Sequence, residues 1–206
     1  MRILHISDTH SRHRLLTDLP VADVIVHSGD ISWVGKPEEV MDFINWFCGL
    51  NYRYKIFIAG NHDYCLDSKK PDAIQRHLPK NCFYLFDSGV TIEGLKFWGI
   101  PYFISDELRG NFRQVVELIP PDTDVLITHR PPFGILDRAG NTTYGCPDLL
   151  EAVMKISLRY HFFGHIHDAY GISKSYGITF VNASLLNEDY QLTNEPFVLD
   201  ICKFIL

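Results

Sequence analysis

A mixed α/β fold, with two β-sheets packed together and helices outside them, is what the sequence predicts. Three observations point to it. The first half alternates strand and helix patterns, which implies parallel strands joined by crossover helices. The second half carries more strands per helix, which fits two mixed sheets better than one doubly wound sheet. The polar residues able to do chemistry gather where strand patterns end. No repeat, linker or low-complexity run divides the 206 residues, so residues 1–206 are read as one domain.

The elements follow in order. "RILHIS" (2–7) is a short apolar strand, and "ADVIVHSGD" (22–30) is a second that ends in Gly-Asp. "KPEEVMDFINWFCGLN" (36–51) predicts a helix. Pro37 suits its first turn, Glu38 and Glu39 suit the positive end of its dipole, and Val40, Phe43, Ile44 and Phe47 share one face. "YKIFIAGNHD" (54–63) is a strand running into a glycine turn, and "CFYLF" (82–86) is another. "GVTIEGLKFWGI" (89–100) predicts a hairpin turning at Glu93-Gly94. "DVLITHRPP" (124–132), "YHFFGHIH" (160–167), "GITFVNAS" (177–184) and "PFVLDICKFIL" (196–206) are further strands. "CPDLLEAVMKISL" (146–158) predicts a second helix, with Pro147 at its start.

Composition excludes several classes of function. Hydrophobic residues make up 46% and charged residues 21%, an ordinary globular balance. The formal net charge of -6 argues against a general affinity for nucleic acid or anionic membrane. The apolar runs fall well short of the ~18 residues that a membrane span needs. Cys48, Cys65, Cys82, Cys146 and Cys202 form no C-x-x-C pair, which suits buried free thiols in a reducing compartment. The start "MRILHISDTH" lacks a secretory h-region, and cytoplasmic location is the expectation.

Five strand ends carry Asp, Asn or His: "SDTH", "HSGD", "AGNHD", "THRPP" and "GHIH". Such ends are where α/β sheets place their ligand sites. Asp8, His10, Asp30, Asn61, His129, His165 and His167 offer two carboxylates, four imidazoles and one amide oxygen. That is too many donors for one tetrahedral zinc and about right for two ions. Nitrogen and oxygen donors without thiolate suit Mn, Fe, Zn or Ni, with Mn preferred. Two divalent ions, less two aspartates and a bridging hydroxide, leave about one positive charge, which would draw a phosphate group into an acidic protein.

These residues resemble a known family. "DTH" (8–10), Gly29-Asp30, "GNHD" (60–63), His129 and "GHIH" (164–167) look like the signature of the calcineurin-like metallophosphoesterases. "ISDTHSR", "LITHRPPFGILD", "GHIHDAYGI" and "TFVNAS" resemble its metallophosphoesterase domain-containing protein branch. The resemblance implies a four-layer αββα sandwich. It implies a first ion on Asp8, His10, Asp30 and His167, and a second on Asp30, Asn61, His129 and His165, with Asp30 bridging. His62 is then a catalytic histidine facing the substrate, Asp63 a candidate for orienting it, and Asn61 a substrate contact as well as a ligand. Some animal members have glycine where this chain has His165, which weakens their second site. Arg130 replaces the glycine usual after the ligand histidine, and is a candidate phosphate contact.

The implied activity is hydrolysis of phosphodiesters or nucleotide-type phosphate esters through a metal-bridging hydroxide. A phosphomonoesterase is the alternative, and a non-catalytic adaptor on the same fold is a weaker one, because every ligand position is filled. The expected partner is a small-molecule phosphate ester or nucleotide, with no stable nucleic acid and no membrane. The other readings are plainer. His62 could instead be structural or a further ligand. His5, His13, His27, His77 and His161 read as structural or surface residues, with an outer-shell role open for His27. Tyr64, Tyr102, Phe103 and Phe133 either wall a cleft or pack at its edge.

Overall fold

The computed structural model describes residues 1–67, 71–110 and 112–201. Cys202 and the end of the C-terminal strand expected over 196–206 lie outside them.

The strands, in chain order, begin with β1 (Arg2–Ile6), β2 (Val24–His27), β3 (Tyr54–Phe57), β4 (Cys82–Tyr84), β5 (Ser88–Ile92), β6 (Leu95–Ile100) and β7 (Val125–Thr128). They continue with β8 (Arg138–Ala139), β9 (Thr142–Thr143), β10 (Tyr160–Phe163), β11 (Gly171–Ser175), β12 (Ile178–Asn182) and β13 (Phe197–Asp200). The helices are α1 (Pro37–Gly49), α2 (Tyr64–Asp67), α3 (Pro71–Gln75), α4 (Ile104–Arg109), α5 (Phe112–Val116) and α6 (Pro147–Val153).

One sheet runs β13-β1-β2-β3-β4, with β1 to β4 parallel and β13 antiparallel. The other runs β11-β12-β10-β7-β6-β5, with a parallel centre and antiparallel edges. A small ribbon, β8-β9, stands apart. Alternation along the strands builds the layers. Ile3, Val24, Val26 and Ile56 of the first sheet meet Phe97, Val125, Ile127 and Phe162 of the second in a central core. The opposite faces pack outward. Leu4, Ile25 and Phe57 sit under Val40, Phe43 and Phe47 of α1, while Leu126, Phe163 and Phe180 sit under α5 and α6. The mixed four-layer sandwich is therefore the fold.

One expectation needs correcting. The second helix was expected to reach residue 158, but α6 stops at Val153. The chain turns there, and Ser157 N–H is drawn away to the Pro121 carbonyl at 3.3 Å. Ile44 shares the apolar face of α1 as expected, half-buried and packed against the cluster that holds Val40, Phe43 and Phe47. The hairpin turns at Glu93 and Gly94 as expected, with both residues at positive φ (48° and 80°), as a two-residue turn matched to strand twist requires. Among the described residues no helix is long and apolar enough to cross a membrane.

Candidate metal centre

The loops after β1, β2, β3, β7 and β10 converge at one edge of the sandwich. Backbone bonds lace them together: Asp8 N–H to the Gly29 carbonyl (3.0 Å), His10 N–H to the Asp30 carbonyl (3.1 Å) and Gly164 N–H to the His129 carbonyl (3.1 Å). Side-chain carboxylates join in, with Asp30 accepting from His62 N–H (2.8 Å) and Asp8 from His165 N–H (3.1 Å). Asp8, His10, Asp30 and His165 all have positive φ, between 40° and 71°. Non-glycine residues hold that conformation at a cost of about 1–3 kcal/mol each, and it clusters at functional sites. Here it turns each side chain off the strand axis and into the site. Gly164 is needed for a different reason, since a Cβ there would collide with Asp8 Oδ2 and Ser7 Oγ.

The histidines are oriented by carbonyls. His10 Nδ1 is 3.2 Å from the Ser32 carbonyl, His129 Nδ1 2.9 Å from the Ser28 carbonyl, and His167 Nδ1 2.9 Å from the Asn187 carbonyl. A carbonyl only accepts, so in each ring the proton sits on Nδ1 and Nε2 is left as a lone pair, unless a second proton binds there. Those Nε2 atoms face carboxylates. His10 Nε2 is 3.6 Å and His129 Nε2 3.3 Å from Asp30 Oδ2, and His167 Nε2 is 3.4 Å from Asp8 Oδ1. Asn61 Oδ1 lies 3.0 Å from His129 Nε2. His10 Nε2 is buried with no hydrogen-bond partner. Lone pairs and carboxylate oxygens aimed at one another call for a cation, and the outward N–H tether is the usual support of a metal-binding imidazole. The residues present therefore fit divalent metal.

Three groups offer one donor atom per residue, with those atoms within 4.8 Å of each other: Asp8, His10 and His167; His10, Asp30 and His62; and Asp30, His129 and His165. Asp30 thus stands between the two sets inferred from sequence. Burial favours neutral carboxyls, yet the surrounding imidazoles prevail and hold Asp8 and Asp30 well below the usual carboxylate range. Burial pulls His129 down, but Asp30 beside it lifts it to about 9. Burial and the His129 charge lower His165 to about 3.

His62 is half-buried, and its Nδ1 is 2.8 Å from the Trp33 carbonyl. The same reasoning leaves its Nε2 toward His10, whose ring is 4.7 Å away. Asp63 makes no described hydrogen bond to the His62 ring. It is fully buried and accepts from Ile31, Ser32 and Gly60 backbone N–H and from Ser32 Oγ, pinning the second and third loops together. Burial and the nearby Asp30 charge raise it to about 6. Arg130 donates from Nε to the Tyr144 carbonyl (3.0 Å) and lies over Tyr102. That ring in turn faces His165 at 5.4 Å, so Arg130 sits at the edge of the His129–His165 set. Tyr102 and Phe103 are buried, whereas Tyr64 and Phe133 are exposed.

Sequence reasoning missed Tyr190, Trp33, Asn187 and Ser184. Tyr190 packs against the His10 and His167 rings at 5.1 and 5.2 Å and against Trp33 at 4.7 Å. These residues carry no metal-ligand signature. Only "TFVNAS" hinted at any of them.

Comparison with known proteins gives the following similarities. The family model described as calcineurin-like phosphoesterase matches residues 1–169. Human metallophosphoesterase domain-containing protein 1 is 36% identical over 97% of this chain and 71% of its own length. A UPF0046 protein of Caenorhabditis elegans is also 36% identical, over 98% of this chain and 76% of its own. One solved structure superposes with a TM-score of 0.68 at 15% identity, covering 89% of this chain and 90% of the other.

Proposed function

Since the chain belongs to the calcineurin-like phosphoesterase family, we propose that it hydrolyses phosphate esters with two divalent metal ions, phosphodiesters and nucleotide-type esters being the preferred substrates. The observation that carries this reading is the convergence of three carbonyl-tethered imidazoles on Asp8 and Asp30. Asp8, His10, Asp30 and His167 would hold one ion, and Asp30, Asn61, His129 and His165 the other, Mn being the first choice. When bound, such a pair supplies a nucleophile drawn from water and positive charge for the phosphoryl oxygens.

The rest falls to the chain's own residues. The Trp33 carbonyl holds the His62 Nδ1–H, so His62 acts as a general acid in its doubly protonated form, giving the Nε2 proton to the departing oxygen and returning to the neutral ring. Asp63 keeps that loop in register by binding backbone, not the ring. Arg130, tied to Tyr144, supplies positive charge beside His165 for a phosphate oxygen. Gathering of all seven ligand residues speaks against an adaptor that has lost its chemistry.

The test is turnover of an aryl phosphodiester and an aryl phosphomonoester by metal-stripped protein, with and without Mn²⁺. Metal-dependent turnover with the diester preferred is expected. Absence of turnover at any metal concentration would contradict the assignment, and preference for the monoester would replace the substrate class.

A further inference from the structure

The "TFVNAS" run carries a hydroxyl that no step above uses. Ser184 is fully buried, and its Oγ lies 2.8 Å from Asp8 Oδ2 and 2.9 Å from Asn182 Oδ1. Both neighbours accept, and a hydroxyl has one proton to give. The Asn182 oxygen already receives the Ser184 backbone N–H at 3.1 Å. Its amide nitrogen donates to the Ile166 carbonyl at 2.8 Å, which fixes which end of the amide is oxygen. A buried carboxylate is the stronger acceptor, so the hydroxyl proton goes to Asp8. That bond secures Oδ2 and leaves Oδ1 as the oxygen facing His167 Nε2. The same residue joins the sheets: Ser184 bridges Ser7 at the end of β1, and Leu185 N–H donates to the Ser7 carbonyl at 3.0 Å.

We propose that Ser184, preset by Asn182, is a positioning residue that turns the Asp8 carboxylate toward the ion shared with His10 and His167 and fixes the spacing of the two sheets there. It rests on the two-ion reading above. Nothing in it requires Ser184 to touch substrate. The inference concerns one ion of the pair, because Ser184 contacts Asp8 and makes no described bond to Asp30, Asn61, His129 or His165.

The experiment is calorimetric titration of metal-stripped protein with Mn²⁺, for wild type, Ser184→Ala and Asn182→Ala, with thermal unfolding of each metal-free protein alongside. Ser184→Ala should weaken one of two binding events by about 10–100-fold, the usual cost of losing an outer-shell partner, and leave the other within about threefold. Asn182→Ala, which keeps the hydroxyl but removes what holds it, should weaken the same event by less. A serine that only packs would lower the unfolding temperature and leave both Mn²⁺ constants unchanged, and that result overturns the proposal. If Ser184→Ala does not fold, Ser184→Gly, which also removes the hydroxyl, decides instead: two unchanged constants overturn the proposal, and selective weakening of one upholds it. Asn182→Ala also loses the bond to the Ile166 carbonyl between His165 and His167 and is read only beside a serine variant. A wild-type chain that takes up fewer than two ions overturns the two-ion reading itself, which shows before any variant is compared.

Discussion

His10, His129 and His167 each give their Nδ1–H to a backbone carbonyl, whereas His5, His27 and His161 each place Nε2 against a hydroxyl. His5 and His161 lie within β1 and β10 and His10 and His167 beyond them, while His27 ends β2 and His129 follows β7, yet the two sets differ in what they can do. A carbonyl takes the Nδ1–H and leaves Nε2 aimed at the site, where a proton or a metal ion can bind. A hydroxyl instead takes up Nε2, and in His5 and His161 the remaining Nδ1 is buried without a partner among apolar neighbours, away from the carboxylates. In His27 both nitrogens are taken: Gly29 N–H donates to its Nδ1, so its Nε2–H is spent on Thr9 Oγ1. His5 stacks on Phe162 at 4.5 Å and His161 lies against Phe163 and Phe180. Burial lowers His27 and His161 from 6.5 to about 3, so they stay neutral and inert. The ring's partner and the carboxylates its other nitrogen faces, more than burial, separate the candidate ligands from the core histidines.

The largest expected effect is on the first set. His129→Ala should remove metal and cut diester turnover by more than the about 10²–10⁴-fold that loss of a general acid costs. His161→Gln should keep full metal content in the folded protein. Comparable metal loss in both would erase the distinction.

His62 belongs to the carbonyl-tethered class but is expected to move a proton. His62→Asn should slow alkyl phosphodiesters by about 10²–10⁴-fold and nitrophenyl esters much less, because nitrophenolate leaves as a stable anion. Metal content should stay near wild type. Equal losses on both esters, with chemistry rate-limiting for each, or loss of metal, would move His62 into the ligand class that its place beside His10 and Asp30 allows.

The hydroxyl-paired set should show itself in acid. His161 has its folded pKa depressed, so its stabilising effect is complete above about 6.5 and fades as pH falls toward 3. In metal-free protein, the loss of unfolding free energy between pH 7 and 5 should be about 2 kcal/mol smaller in His161→Gln than in wild type. Urea unfolding at the two pH values measures it, and identical losses would show that His161 titrates normally. The smallest effect is at exposed His77, where Ala should change stability by no more than about 0.5 kcal/mol.

Much of this was legible in the sequence because strand ends are marked by abrupt changes from apolar to polar residues. Asp8, Asp30, Asn61, His129 and His167 each follow such a run, and the structure brings them together. Short pieces were not legible. α2 and α3 span only a turn each, and β8, β9 and β11 are half-exposed pieces without a long apolar pattern. α6 ends in a tighter turn, with Lys155 N–H on the Ala152 carbonyl, and the following Ser157 N–H goes to Pro121, a tertiary partner that local propensity does not encode. Tyr190 reaches the site through a turn at positive φ (57°), and Ser184 through a bridge between sheets. Both depend on partners distant in sequence, as does the choice between a carbonyl and a hydroxyl for each histidine.

The central claim is that Asp30 stands between two ions. Its Oδ2 is within 3.6 Å of imidazole nitrogens from both sets. Equilibrium dialysis of metal-stripped wild type, Asp8→Ala and Asp30→Ala against Mn²⁺ tests this most directly. About two ions per chain are expected for wild type, with Asp30→Ala losing more metal than Asp8→Ala, since one carboxylate then fails two cations. Equal losses in the two variants would contradict the bridging role, and retention of both ions by Asp30→Ala would remove Asp30 from the centre.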